Sequence, residues 1–151
     1  MIKDLHHVGI IVKDLDRSLA FYTNVLGGKL LYISGAQPKD VEKEVDVPGA
    51  RTRLAVLKYG AATVELVEYI EPKIEPGLLS AAAVGTQHVA FEVDDVDAAV
   101  ATLKKNGIRF NAPPKLIEEG DNKGWVWTYF RDPDGCWLEL VENRNLKVAL
   151  K

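Results

Sequence analysis

The sequence predicts an α+β fold: two duplicated βαβββ modules forming a cupped half-barrel sheet around a cavity. Three observations point there. The word "VELVE" at 64–68 returns as "LELVE" at 138–142. The run "HHVGIIVKDLD" at 6–16 returns as "QHVAFEVDDVD" at 87–97. Between the copies lies "EPKIEPGLLSAAAVG", whose prolines and glycines suit a connector. A word that recurs at both ends of a unit marks an internal repeat rather than chance. The expected organisation is a first module at 1–70, a linker at 71–85 and a second module at 86–151, together one domain.

Each module reads in the same order. "HVGIIV" and "HVAFEV" are short and β-rich, hence strands. Leu15, Leu19, Tyr22 and Leu26 keep helical spacing, as do Val96, Val100 and Leu103. Asp14 or Asp16 is suited to cap the first helix, and Asp94 or Asp95 the second. Gly27 and "NG" at 106–107 end them. Three strand candidates follow in each module. The first has "KLLYI", "TRLAVLKY" and "ATVELVEY"; the second has "IRFN", "WVWTYF" and "CWLELVE". "RDPDG" at 131–135 is a turn between the last two.

Alternation along the strands then sorts the side chains. Val8, Ile10 and Val12 share one face, as do Val89, Phe91 and Val93; these apolar sets belong against the helix. His7 and His88 fall on the opposite face, each followed there by a small residue, Gly9 or Ala90. His6 falls on the helix side, and its counterpart is Gln87. In the closing strands Leu66 and Leu140 point to the helix, while Glu65 and Glu139 point with the histidines. Each module thus offers one imidazole and one carboxylate to the cavity.

Two carboxylates about 4 Å apart repel by roughly 4 kcal/mol at an effective dielectric of 20, and desolvation adds to that. A proton or a cation must compensate. Two imidazoles with two carboxylates make a mixed N/O donor set suited to a divalent Zn, Ni, Co, Mn or Fe ion and ill suited to Ca²⁺, which prefers oxygen alone. A lone histidine or a lone "ELVE" is ordinarily structural; their joint recurrence in register is what points to chemistry.

The bulk numbers bound the partners. A net charge of −3 with no basic stripe argues against nucleic acid. No apolar run approaches the ~20 residues of a membrane helix, so no membrane is expected. The N-terminus lacks the pattern of a secretory signal, and the single cysteine, Cys136, excludes an intrachain disulfide. A cytoplasmic protein acting on a small molecule is the expectation.

These motifs resemble the vicinal oxygen chelate superfamily, which includes glyoxalase I, methylmalonyl-CoA epimerase, extradiol dioxygenases, and fosfomycin and bleomycin resistance proteins. "HHVGIIVKDLDRSLAFYTNVLGGKL" is similar to its opening motif, "QHVAFEVDDVDAAVATLKKNGI" to its second and "FRDPDGCWLELVE" to its closing one. The resemblance covers nearly the whole chain. It implies paired βαβββ modules around one divalent metal held by His7, Glu65, His88 and Glu139, with the modules paired within one chain or across a homodimer. It also bears on the reaction. Dioxygenases and fosfomycin enzymes of this kind leave the position of Glu65 without a ligand, whereas glyoxalase I and the epimerases fill it. "VELVEYIEP" is similar to the epimerase form of this strand; "FRDPDGCWLEL" is similar to the general glyoxalase and dioxygenase ending. The implied function is a metal-dependent lyase or isomerase that abstracts a proton α to a carbonyl, with Glu139 or Glu65 as the catalytic base and the other as the conjugate acid. The alternatives are a ring-cleaving dioxygenase and a non-catalytic binding protein of the bleomycin-resistance type.

Other residues are weaker candidates. Arg51, Arg53, Tyr59, Trp125, Trp127 and Tyr129 lie in or beside the middle strands, where one register slip reverses every face. Each lines the pocket or packs a barrel wall. The stretch 34–50, polar and punctuated by Pro and Gly, reads either as a lid or as a solvated excursion. Glu92 shares the face of His88. Glu68 and Glu142 fall on the helix side near strand ends and are expected to be solvated. Cys136 reads as a small packed hydrophobe.

Overall fold

The computed structural model describes residues 1–35 and 41–145. The chain divides into two compact units, Met1–Gly77 and Leu78–Lys151. The first runs β1 (Val8–Val12), α1 (Leu15–Ala20), a π-helical turn at Phe21–Val25, β2 (Lys29–Ser34), α2 (Val41–Val45), β3 (Arg51–Tyr59) and β4 (Ala62–Glu71). The second runs β5 (His88–Glu92), α3 (Val96–Lys105), β6 (Lys115–Leu116), β7 (Trp125–Arg131) and β8 (Trp137–Asn143). Each unit holds one four-stranded sheet, in the orders β1-β4-β3-β2 and β5-β8-β7-β6. The outer pairs β1–β4 and β5–β8 are parallel and the remainder antiparallel, so each sheet is mixed. The fold is α+β.

In both units the helix covers one face of the sheet. Ile10, Val12, Leu15, Tyr22, Leu57 and Leu66 form the buried core of the first. Val96, Val100 and Leu103, one turn apart along α3, pack with Val126, Phe130 and Leu140 in the second. Asp14 and Asp95 are the N-caps, accepting the N–H groups of Arg17 and Ala98. Gly27 and Gly107 follow the helices at positive φ, where a side chain would be strained. After α1 the chain widens into the π-helical turn, and the Thr23 hydroxyl bonds back to the Leu19 carbonyl.

Two expectations need correction. "IRFN" is not a strand: Phe110 makes an isolated bridge to Phe130, and the edge position falls to β6, beyond Pro113 and Pro114. Two successive prolines supply no N–H to a ladder, so pairing resumes only after them. Glu68 and Glu142 are not solvated. Glu142 is buried and accepts the Val96 N–H at 3.0 Å; Glu68 accepts the Leu15 N–H at 3.4 Å. The last glutamate of each repeated word therefore holds the first helical N–H of its own unit. A further finding is that the 34–50 stretch contains α2; its residues 36–40 lie outside the described residues. Among the described residues no helix is long and apolar enough to cross a membrane.

Candidate functional site

The parallel pairings put the four selected side chains in two equivalent settings. In the first unit Gly9 lies directly beside Glu65; in the second Ala90 lies directly beside Glu139. A small residue next to the carboxylate leaves room above it, and the histidine two residues earlier leans in from the same face. His7 Nε2 lies 3.5 Å from Glu65 Oε2, and His88 Nε2 lies 3.1 Å from Glu139 Oε2. All four side chains keep some access to solvent, the glutamates least: 20% for Glu65 and 13% for Glu139. The structure thus brings His7 to Glu65 and His88 to Glu139.

The third strand of each sheet completes the setting, and here the units diverge. Val56 stands opposite Glu65; Tyr129 stands opposite Glu139. Trp125, Trp127, Tyr129 and Arg131 alternate along β7 on the Glu139 face, with Trp137 beside them on β8. The Tyr129 ring meets His88 edge-on at 5.3 Å and Trp127 at 5.4 Å. Its hydroxyl is 3.4 Å from His88 Nε2. Burial, and after it the charge of Glu139 and a hydrogen bond to Glu139, push the Tyr129 phenol up. Arg131 is committed elsewhere: its guanidinium stacks on Trp137 at 3.8 Å and donates to the carbonyls of Gly135 and Leu79. Trp137 donates to the same Leu79 carbonyl.

Of the weaker candidates, Trp125, Trp127 and Tyr129 share the face of Glu139. Arg53 and Tyr59 do not share the face of Glu65. Arg53 pairs with Asp16 and Glu68 on the helix side, and the Tyr59 hydroxyl donates to the Tyr22 carbonyl at 2.6 Å. Arg51 sits 3.6 Å from Glu71, where a bulge shifts the β3–β4 register. Glu92 lies in register with Val141 and is exposed. His6, set aside by strand alternation, contacts the site after all: its Nδ1 is 2.8 Å from His7 Nδ1. Both histidines lie just ahead of β1, which begins at Val8. Cys136 is packed, and burial pushes its thiol up to about 12.

The donor chemistry can be tested against a divalent ion. Ligand atoms about 2.0–2.2 Å from one ion stand about 2.9–3.5 Å apart, depending on geometry. The two His–Glu separations lie in that range, and each pair offers one neutral nitrogen with one carboxylate oxygen. Each pair therefore fits half of a mixed N/O site. Among the described residues no group of three or more His, Cys, Asp and Glu side chains is arranged to hold a metal ion.

Comparison with known proteins identifies the family. The family model for the Glyoxalase/Bleomycin resistance protein/Dioxygenase superfamily matches residues 4–140. A 2-epi-5-epi-valiolone epimerase from an Actinomyces species is 37% identical over 142 residues, covering 91% of this chain and 78% of that one. A lactoylglutathione lyase of Salmonella typhimurium is 33% identical over 144 residues, covering 93% of each. Among solved structures, a glyoxalase family protein from Bacillus cereus superimposes with a TM-score of 0.79 at 20% identity, over 94% of this chain and 95% of that one, a likeness of fold. The model matches almost the whole chain, and the protein belongs to the glyoxalase/bleomycin resistance protein/dioxygenase superfamily.

Proposed function

We propose that the protein is a divalent-metal-dependent lyase or isomerase of the glyoxalase I or epimerase type, abstracting a proton α to a carbonyl of a small chelating substrate. One observation carries the choice of chemistry. Glu65 is paired with His7 just as Glu139 is paired with His88, so both halves supply a carboxylate as well as an imidazole. A dioxygenase-type site has no need of the first carboxylate. The relatives named as epimerase and lactoylglutathione lyase support the same choice.

In this reading His7, Glu65, His88 and Glu139 hold one Zn, Ni, Co, Mn or Fe ion. The two pairs come from the two units of one chain or from two copies in a homodimer. When bound, the ion supplies Lewis-acid polarisation of the substrate carbonyl and offsets the repulsion between the carboxylates. Glu139 or Glu65 takes the α-proton, and its conjugate acid or the other glutamate returns one. Return from the opposite side inverts the carbon; return to the neighbouring carbon isomerises the substrate. Gly9 and Ala90 leave the space beside each carboxylate that such a movement needs. Trp127 and Tyr129 give the substrate an aromatic wall. The setting is the cytoplasm.

The test is metal analysis of the purified protein, followed by assays with hemithioacetals, acyl-CoA epimers and catechols. Retention of one of these ions with turnover of either of the first two classes is expected. A protein that neither retains nor responds to any divalent ion overturns the proposal, and oxygen uptake with catechols replaces it by the dioxygenase reading.

A further inference from the structure

The two His–Glu pairs are alike in sequence and in register, yet their surroundings differ at one position. Directly across the sheet from Glu65 stands Val56, which has no polar side-chain atom. Directly across from Glu139 stands Tyr129, whose hydroxyl reaches to 3.4 Å from His88 Nε2. His88 Nε2 in turn is 3.1 Å from Glu139, against 3.5 Å for the pair in the first unit. The Tyr129 ring is held edge-on between His88, Trp127 and Trp137, at 5.3, 5.4 and 6.1 Å between ring centres. Its hydroxyl is therefore placed by packing and does not have to be ordered on demand. Arg131 cannot substitute for it, because both terminal nitrogens donate to backbone carbonyls. Among the described residues Glu65 has only His7 as a polar partner.

We propose that Tyr129 is a positioning residue whose hydroxyl holds the Glu139 carboxylate and the His88 ring in one arrangement, making the second pair the anchored half of the site and the first the mobile half. A hydroxyl given to a carboxylate leaves that oxygen fewer free orientations and fixes the imidazole beside it. An ion bound at His88 Nε2 would leave the hydroxyl to Glu139, and an outer hydrogen-bond partner of that kind orients its ligand and strengthens the hold on a metal. The inference rests on the reading of His88 and Glu139 as ligands, given above.

The test uses the full chain with Tyr129→Phe, which keeps the ring and its packing. In metal-free protein, nitrogen-15 spectra of the imidazoles should show the His88 ring nitrogens shifting while those of His7 stay in place. Titration with Co²⁺ followed by calorimetry should show affinity falling about tenfold or more. In a Glu139→Gln background the same change should add little, whereas in a Glu65→Gln background the full loss should persist. Unchanged His88 nitrogens, wild-type Co²⁺ affinity, or an effect that adds fully to Glu139→Gln would each overturn the role. Wild-type protein that binds no Co²⁺ contradicts the metal reading above; the imidazole spectra then decide the claim for the Tyr129 hydroxyl.

Discussion

The carboxylate of Glu142 accepts the backbone N–H of Val96 at 3.0 Å, across the 46 residues that separate the end of the last strand from the start of α3. Glu142 is 2% exposed and its other oxygen takes a bond from Arg144 at 3.2 Å. The same link joins Glu68 to Leu15 in the first unit, more loosely. Replacing Glu142 by Ala leaves a buried N–H without its acceptor and leaves Arg144 with Asp97 alone. The expected loss is about 1–3 kcal/mol. Glu68→Ala should lose less, since its carboxylate is more open and its link to the helix longer. Urea unfolding of the two variants checks the order.

Gly9 and Ala90 make a sharper test of the site than the ligands themselves. A Cβ on Gly9 meets nothing within 4 Å, and the residue lies in an ordinary strand conformation. Gly9→Val should therefore leave stability within about 0.5 kcal/mol of wild type. Its side chain would stand beside Glu65, in the room the carboxylate uses. Turnover should fall sharply while the melting temperature holds; full activity would show that Glu65 does not work in that space.

Glu139→Gln keeps the shape of the side chain and removes its basicity. If Glu139 holds a metal and moves a proton, turnover should fall by about 10²-fold or more, with an unchanged circular dichroism spectrum. Unchanged turnover would sink the assignment.

Gly28 closes the turn after α1 against Tyr59. A Cβ there would lie 2.5 Å from the Tyr59 hydroxyl and 2.9 Å from the Tyr22 carbonyl, which that hydroxyl bonds. Gly28→Ala should cost about 1–3 kcal/mol through overpacking. Combined with Tyr59→Phe the loss should be somewhat smaller than the sum of the two, because part of the clash falls on the oxygen that makes the bond, while the ring carbon Cζ at 2.6 Å remains.

Acid should act through Asp14. The Arg17 N–H that it accepts holds its carboxyl below the ordinary aspartate value of 3.8. A group with a lowered native value stabilises the fold above its unfolded value and loses that contribution as pH falls through the native one. The stability gap between wild type and Asp14→Ala should thus be constant near neutrality and close as pH drops below 3.8. A gap that persists into strong acid would remove the carboxylate from the cap. At the other end of the scale, the Cys136 thiol at about 12 stays protonated at pH 8 and should resist alkylation until the chain is unfolded.

How much was legible in the sequence varies with the kind of signal. The repeat and the period of two along the strands were enough to separate Glu65 from Glu68 and Glu139 from Glu142, because a pleated strand leaves only two faces. The same rule gave no sign that His6 touches His7, since it sorts faces and not contacts between neighbours along the chain. It identified the side on which Glu68 and Glu142 lie but not what they do there, since a helix N–H waiting across the sheet leaves no mark in the local pattern. The face of Tyr129 depended on pairing it with Glu139 rather than with a neighbour, and register is a property of two strands together. The edge strand of the second unit moved past Pro113 and Pro114 for a reason visible in the letters, because the backbone there has no hydrogen to give.

The parallel pairing of the first strand with the last has a consequence for synthesis. β1 cannot find its neighbour until β4 has been made, so each sheet closes only when its whole unit is available. His7 and Glu65 meet at that closure, and so do His88 and Glu139. A chain emerging from the ribosome completes its first pair while the second unit is still being translated. Each His–Glu pair thus closes a long loop, and closing long loops delays folding. Any mutation that slows closure would show first as chains with formed helices and separated histidines and glutamates.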